Sequence, residues 1–165
     1  MNIDVKVANE NELKDAILLS EKYCYKNTPD KNHGFTLKPI DKNYLRYVYI
    51  GKINEKIVGV ACATDFSKEN FKRYAVNDNS KCKEIGKVAV DKDYRGMNVA
   101  SSILKFILKQ FPNVNFYATI MEKPVENKAS KALFESLGFK RYKIINLFHK
   151  SVNLNEEVGL YVLKN

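Results

Sequence analysis

The hydrophobic period of this 165-residue chain switches several times between two and about 3.6, which restricts its fold more than any other feature. Ile3, Val5 and Val7 alternate with polar residues, the pattern of a half-buried strand. Asn9-Glu10-Asn11-Glu12 follows, a cap residue with a glutamate three positions on. Leu13, Ala16, Ile17, Ser20 and Cys24 continue at helical spacing. Residues 26–43 contain Pro29, Gly34 and Pro39 and read as loop. Tyr47–Lys52 and Lys56–Thr64 are β-rich and joined by a polar turn at Asn54-Glu55, a hairpin pattern. Residues 66–81 read as polar and irregular, and Glu84–Val90 as a strand. From Met97 onward, Val99, Ile103, Ile107 and Phe111 with Ala100, Leu104 and Leu108 make a wide helical stripe that Pro112 stops. Asn115–Met121 predicts another strand, and Val125, Ala129, Ala132, Leu133 and Leu137 a helix that ends at Gly138. Strands at about 139–148 and 157–163 close the chain. The order β-α-loop-β-β-β-α-β-α-β-β, without repeat or linker, predicts one mixed α/β domain over residues 1–165.

Composition removes several functional classes. The longest nearly apolar run, Ile57–Ala63, falls far short of the ~18–20 residues of a membrane-crossing helix. The N-terminus shows no basic segment followed by an apolar stretch, so no secretory signal is read. Cys24, Cys62 and Cys82 are odd in number and lack CxxC spacing, which predicts reduced thiols in a cytoplasmic protein. His33 and His149 lie far apart, so no metal site is expected. The net charge of +9 leans toward the C-terminal half: residues 1–60 carry ten basic and eight acidic side chains, whereas residues 123–150 carry seven basic against Glu126 and Glu135. Neither an RRM nor a helix-turn-helix signature accompanies that charge, so nucleic acid is not the expected partner.

The chemically informative segment runs Val88-Ala89-Val90-Asp91-Lys92-Asp93-Tyr94-Arg95-Gly96-Met97-Asn98-Val99-Ala100. A strand that delivers a loop into a helix start leaves backbone N–H groups unpaired and pointing one way, and the helix dipole adds about half a positive charge there. Phosphate or pyrophosphate suits such a place. Arg95 can supply further charge, and Gly96 lets the backbone come close.

Arg95-Gly96-Met97-Asn98-Val99-Ala100 after Tyr94 resembles the cofactor loop Arg/Gln-x-x-Gly-x-Gly/Ala of the GNAT superfamily of N-acetyltransferases. Asn127, followed by Phe134-Glu135-Ser136-Leu137-Gly138-Phe139, is similar to a second motif of that family. Ile57-Val58-Gly59 and the opening strand and helix also match, so the resemblance covers nearly the whole chain. It implies a GNAT-like fold, a mixed and mostly antiparallel sheet of six to seven strands flanked by about four helices. It also implies acetyl-CoA, or another acyl-CoA, in a V-shaped cleft between strands Glu84–Val90 and Asn115–Met121. The pantetheine arm would pair with Val88, Ala89 and Val90, and the pyrophosphate would rest on Arg95, Gly96, Met97, Asn98, Val99 and Ala100, with Ser101 next in line. Asn127 would reach the pantetheine arm or steady its loop, and Lys131, with Lys128, would meet the outer phosphate. The acceptor would be a small-molecule or protein amine, bound by residues 24–45, 66–81 and 144–157. Homodimers are common in the family.

Two departures stand out. Asn98 replaces a family glycine, and asparagine is among the non-glycine residues that best tolerate a left-handed backbone. Phe134 stands where many members carry the tyrosine that protonates the leaving thiolate, and phenylalanine has no proton to give. Glu84 is placed like the glutamate that serves as general base in the histone-acetylating branch, and regular alternation would set Glu84, Gly86, Val88 and Val90 on one face. The expected activity is direct transfer of an acetyl group to a primary amine in a ternary complex. The alternative is a catalytically weak or inactive acyl-CoA-binding module.

Overall fold

The computed structural model describes residues 2–24, 48–66, 68–78, 80–124, 126–149 and 154–165. The predicted loop at 26–43, His33 and nearly all of the acceptor segment 24–45 lie outside them. The strands are β1 (Asp4–Val7), β2 (Val48–Ile53), β3 (Lys56–Asp65), β4 (Cys82–Val90), β5 (Asn115–Lys123), β6 (Lys140–His149) and β7 (Leu154–Leu163). The helices are α1 (Glu10–Cys24), α2 (Lys68–Arg73), α3 (Val99–Gln110) and α4 (Lys128–Ser136), and a 3-10 turn covers Lys92–Tyr94. The strands form one sheet in the order β1-β2-β3-β4-β5-β7-β6. The β1–β2, β2–β3, β5–β7 and β6–β7 pairs are antiparallel and β4–β5 is parallel. The expected mixed, mostly antiparallel sheet with four helices is therefore observed. Among the described residues no helix is long and apolar enough to cross a membrane.

The chain divides into two units, Met1–Ala63 with Gly86–Phe111, and Thr64–Ile85 with Pro112–Asn165. In the first unit the predicted capping box forms reciprocally: Glu12 N donates to Asn9 Oδ1 at 3.0 Å and Asn9 N to Glu12 Oε2 at 3.1 Å. The β2–β3 turn is made by Asn54 and Glu55, both left-handed at φ 48° and 63°, as a two-residue hairpin requires. The apolar stripe of α3 buries Val99, Ile103, Leu104 and Ile107. Gly59 sets how closely α3 lies on β3, because a Cβ there would stand 2.5 Å from Val99 Cγ1 and 2.9 Å from Ile103 Cδ1. A core of Ala8, Ala16, Val48, Ile50, Val60, Cys62 and Ala89 receives Leu13, Leu19, Tyr23 and Ile57 at its margin.

The second unit is built on Phe66, Tyr74, Cys82, Tyr117, Leu160 and Val162. The Phe66 and Tyr117 rings stack at 4.7 Å, and Phe71 meets Phe66 edge-on at the same distance. This aromatic packing corrects the reading of residues 66–81 as irregular, since α2 forms there. A six-residue helix is too short to stand alone and carries little periodicity, so tertiary contacts through Phe71 decide it. Asp78 ties the following loop to β5, accepting from Tyr117 Oη at 2.7 Å, Asn115 Nδ2 at 3.1 Å and Ser80 N at 2.9 Å. Its carboxyl is held well below the usual range, chiefly by the Ser80 hydroxyl. Gly138, at φ 89°, follows α4 as predicted.

Candidate functional site

Strand β4 does not keep the alternation that would put Glu84, Gly86, Val88 and Val90 on one face. Lys87 adopts φ 54°, a left-handed conformation that breaks the pleat, and from Glu84 to Val90 only Ile85 and Ala89 are buried. Val88 and Val90 are half-buried. Asp91 N donates to Val58 O at 2.9 Å, and the chain then leaves the sheet through the 3-10 turn.

Residues 95–98 steer the chain into α3. Arg95 is extended, Gly96 is left-handed at φ 77°, and Asn98 is left-handed at φ 60°, ψ 16°. The asparagine thus takes the backbone that the family's glycine would supply, at the helix N-cap. It makes no side-chain cap hydrogen bond, and the first turn of α3 contains no acidic residue. The first backbone bond of α3 runs from Ser102 N to Asn98 O at 2.9 Å, which leaves the amides of Val99, Ala100 and Ser101 ahead of it. Gly96, Met97 and Asn98 are exposed. Free amides, a positive dipole end, an adjacent guanidinium and a first helical turn without a carboxylate fit a diphosphate.

Arg95 is oriented by its surroundings. Its Nε donates to Val90 O at 3.5 Å, and its guanidinium carbon lies 5.4 Å from the centre of the Tyr23 ring. Among the described residues no carboxylate pairs with it. Tyr23 Oη donates to Asp91 Oδ1 at 3.2 Å, Asp93 N donates to the same oxygen at 3.3 Å, and Lys56 Nζ faces Asp91 Oδ2 at 3.4 Å. The Asp93 amide, before Lys56 and Tyr23, holds the Asp91 carboxyl below its ordinary value.

Burial disfavours the thiolate form of both cysteines in this unit. Cys24 Sγ points at Val88 O at 3.7 Å, and burial raises its pKa. Burial pushes Cys62 up to about 11. The Lys87 amine is lowered by burial.

The second unit carries the remaining residues singled out from the sequence. Glu84, half-buried on β4, accepts from Asn70 Nδ2 at 2.7 Å through Oε2. Its register partner across the parallel ladder is Tyr117, whose hydroxyl is committed to Asp78 and whose pKa is driven up by burial and that carboxylate. Asn127 caps α4: its Oδ1 accepts from Ser130 N at 3.0 Å, and its own N donates to Met121 O at 2.9 Å. Lys131 Nζ pairs with Glu126 Oε1 at 3.1 Å. Phe134 is 4% exposed and packs edge-on against Phe139 at 5.0 Å.

Val88–Val90 and Arg95–Ser101 are thus brought together in the first unit, while Glu84, Asn127, Lys131 and Phe134 belong to the second. Sequence reasoning misses Tyr23 and Asp91. The Asp91-Lys92-Asp93 spacing signals an Asx turn, but nothing in the sequence links Tyr23 to a residue 68 positions away. The second unit holds a further cluster that the sequence does not announce. Arg141 Nη1 reaches both Glu122 oxygens at 3.1 and 3.0 Å, and Tyr161 Oη is buried with no hydrogen-bond partner among the described residues. Among the described residues no group of His, Cys, Asp and Glu is arranged to hold a metal ion.

Known proteins share both the sequence pattern and the fold. The profile of the Acetyltransferase (GNAT) family matches residues 15–139. N-alpha-acetyltransferase 30 of Schizosaccharomyces pombe is 26% identical over 119 residues, covering 64% of this chain and 73% of that protein. The human protein of the same name is 24% identical over 110 residues, covering 66% of this chain but only 28% of its own length. A chain of the NatC complex bound to Gag peptide and CoA superposes with a TM-score of 0.73 at 16% identity, covering 100% of this chain and 99% of its own. With the family profile spanning most of its length, and with the fold and loop described above, the chain belongs to the Acetyltransferase (GNAT) family.

Proposed function

We propose that residues 1–165 form a single catalytic domain that transfers an acetyl group from acetyl-CoA to a primary amine by direct attack in a ternary complex. The observation that carries this reading is the start of α3. Left-handed Gly96 and Asn98 present the Val99, Ala100 and Ser101 amides beside Arg95, with no acidic residue in the first turn. These groups would hold the diphosphate, and the backbone of half-buried Val88, buried Ala89 and half-buried Val90 would pair with the pantetheine amides. The co-substrate supplies a thioester, and the residues of this chain have to orient it, exclude water and move one proton.

The acceptor we propose is the α-amine of a peptide or protein, as the names of the relatives suggest. Proton chemistry supports it. Near pH 7.4 about a quarter of an α-amine with pKa ~7.8 is unprotonated, against about a thousandth of a lysine amine at ~10.4. An α-amine therefore needs less help from a base. Glu84, oriented by Asn70, is the base we assign to the proton that remains. With Phe134 sealed against Phe139, water protonates the leaving thiolate, an alkyl thiolate that, like that of cysteine with its pKa of ~8.5, takes up a proton readily at neutral pH.

The test is acetyl-CoA consumption with a peptide carrying a free α-amine, against the same peptide blocked at its N-terminus but retaining a lysine. Acetylation of the first and not the second is expected. Phe134 favours a second reading, a module that binds acyl-CoA without turnover. Micromolar binding of acetyl-CoA with no acetylation across all amine classes would replace the first reading by the second.

A further inference from the structure

Resting on the reading of the α3 start as a diphosphate site, we infer that Tyr23 and Asp91 are positioning residues that hold Arg95 ready for the ligand. Arg95 follows a turn, sits on an exposed loop, and has no carboxylate among the described residues to fix it. A free arginine would sample many rotamers and lose them on binding, which weakens the complex. Here two contacts remove that freedom before any ligand arrives. Nε donates to Val90 O at 3.5 Å, and the guanidinium lies 5.4 Å from the Tyr23 ring centre, within cation–π range. Both contacts leave the terminal guanidinium N–H groups available to an anion.

The ring is itself fixed. Tyr23 comes from the last turn of α1, packs against the apolar core and donates through its hydroxyl to Asp91 at 3.2 Å. Asp91 is 8% exposed and is held from three sides, by the Tyr23 hydroxyl, the Asp93 amide and Lys56. Lys56 Nζ in turn stands 5.0 Å from the centre of the Tyr94 ring, in the turn just before Arg95. Lys22 Nζ also lies 5.0 Å from the Tyr23 ring centre, so this ring serves two cations, balanced by the Asp91 carboxylate at its hydroxyl end. A carboxylate placed directly on Arg95 would compete with the ligand. A ring backed by a carboxylate orients the cation and leaves its charge usable.

The test is a ligand series on the whole chain. CoA and pantetheine, the same arm without the diphosphate, are titrated calorimetrically into wild type, Tyr23→Leu, Tyr23→Met, Arg95→Gln and Tyr23→Leu/Arg95→Gln. Tyr23→Leu is expected to weaken CoA about fivefold, the equivalent of about 1 kcal/mol, and to leave pantetheine unchanged. Tyr23→Met, whose unbranched and flexible side chain adapts to the space the ring leaves, gives the same selective loss should the leucine variant fold poorly. In the double variant the losses should not add, because the ring acts only through Arg95. Wild-type CoA binding with no change on losing the ring, equal loss of CoA and pantetheine, or additive losses would overturn the inference. Failure of the wild-type chain to bind CoA would overturn instead the functional reading beneath it.

Discussion

Replacing Gly59 by alanine tests how α3, and with it the loop that begins the site, is seated. The new Cβ would lie 2.5 Å from Val99 Cγ1 and 2.9 Å from Ile103 Cδ1, where carbon atoms prefer about 3.5–4.0 Å. Val99 must therefore give by about 1 Å, yet it is β-branched, helical and 2% exposed, and Ile103 is fully buried. An off-rotamer valine or a displaced helix costs about 1–3 kcal/mol. Against this, loss of a glycine from the unfolded chain stabilises by about 0.4–1 kcal/mol. The clash wins, and Gly59→Ala should lose about 1–2 kcal/mol. For a chain of this size that lowers the thermal midpoint by about 2–8 °C. The assay is urea denaturation of wild type, Gly59→Ala, Val99→Ala and the double variant. Val99→Ala alone opens a cavity, but in the double variant the methyl introduced at position 59 falls into it. The double variant should thus be more stable than the sum of the singles by about 1 kcal/mol, beyond the ~0.3–0.5 kcal/mol scatter of additive sites. A Gly59→Ala chain as stable as wild type, or a strictly additive cycle, would refute the reasoning.

Four further outcomes are expected. Asn98→Ala should lose about 1 kcal/mol, because a left-handed backbone is costly for alanine, whereas Asn98→Gly should stay within about 0.5 kcal/mol; urea midpoints decide it. Asp78→Ala strips the buried Tyr117 hydroxyl of its acceptor and should cost about 1–3 kcal/mol. Since the folded Asp78 carboxyl titrates below its unfolded value of ~3.9, its contribution is complete above that value, begins to fade as pH falls below it, and is lost as pH falls through the lower folded value. The stability difference between wild type and Asp78→Asn, followed by thermal melts from pH 7 to 3, should accordingly shrink below about pH 4. Glu84→Gln should lower kcat about 10²-fold in steady-state assays while leaving CoA affinity within twofold; an unchanged kcat would remove Glu84 as the base.

The order of strands and helices was legible because each element repeats a local rule several times. Ile3, Val5 and Val7 alternate, and the Val99–Ile107 stripe recurs at helical spacing on a helix where Val99, Ile103 and Ile107 are buried. The Asn9–Glu12 cap, the Asn54-Glu55 turn and the left-handed tolerance of Asn98 were readable for the same reason, since each is a property of a few adjacent residues. Helix α2 was not legible, because its cause is Phe71 against Phe66 in a folded cluster rather than any period of its own. Lys131 reads in sequence as a phosphate partner, and its pairing with Glu126 five residues away only appears once α4 has a start.

Apart from α2, the sequence by itself determined which segments become strands and helices and where a helix begins on unpaired amides, because those depend on backbone geometry and the side chains nearest along the chain. Tertiary structure decided what each functional group faces. It set Tyr23 beneath Arg95 and beside Asp91 across 68 positions, placed Asn70 on Glu84, gave Tyr117 to Asp78, and broke the β4 pleat at Lys87. Such partnerships depend on distances between remote segments. No spacing along the chain encodes them, and they exist only when the core has closed.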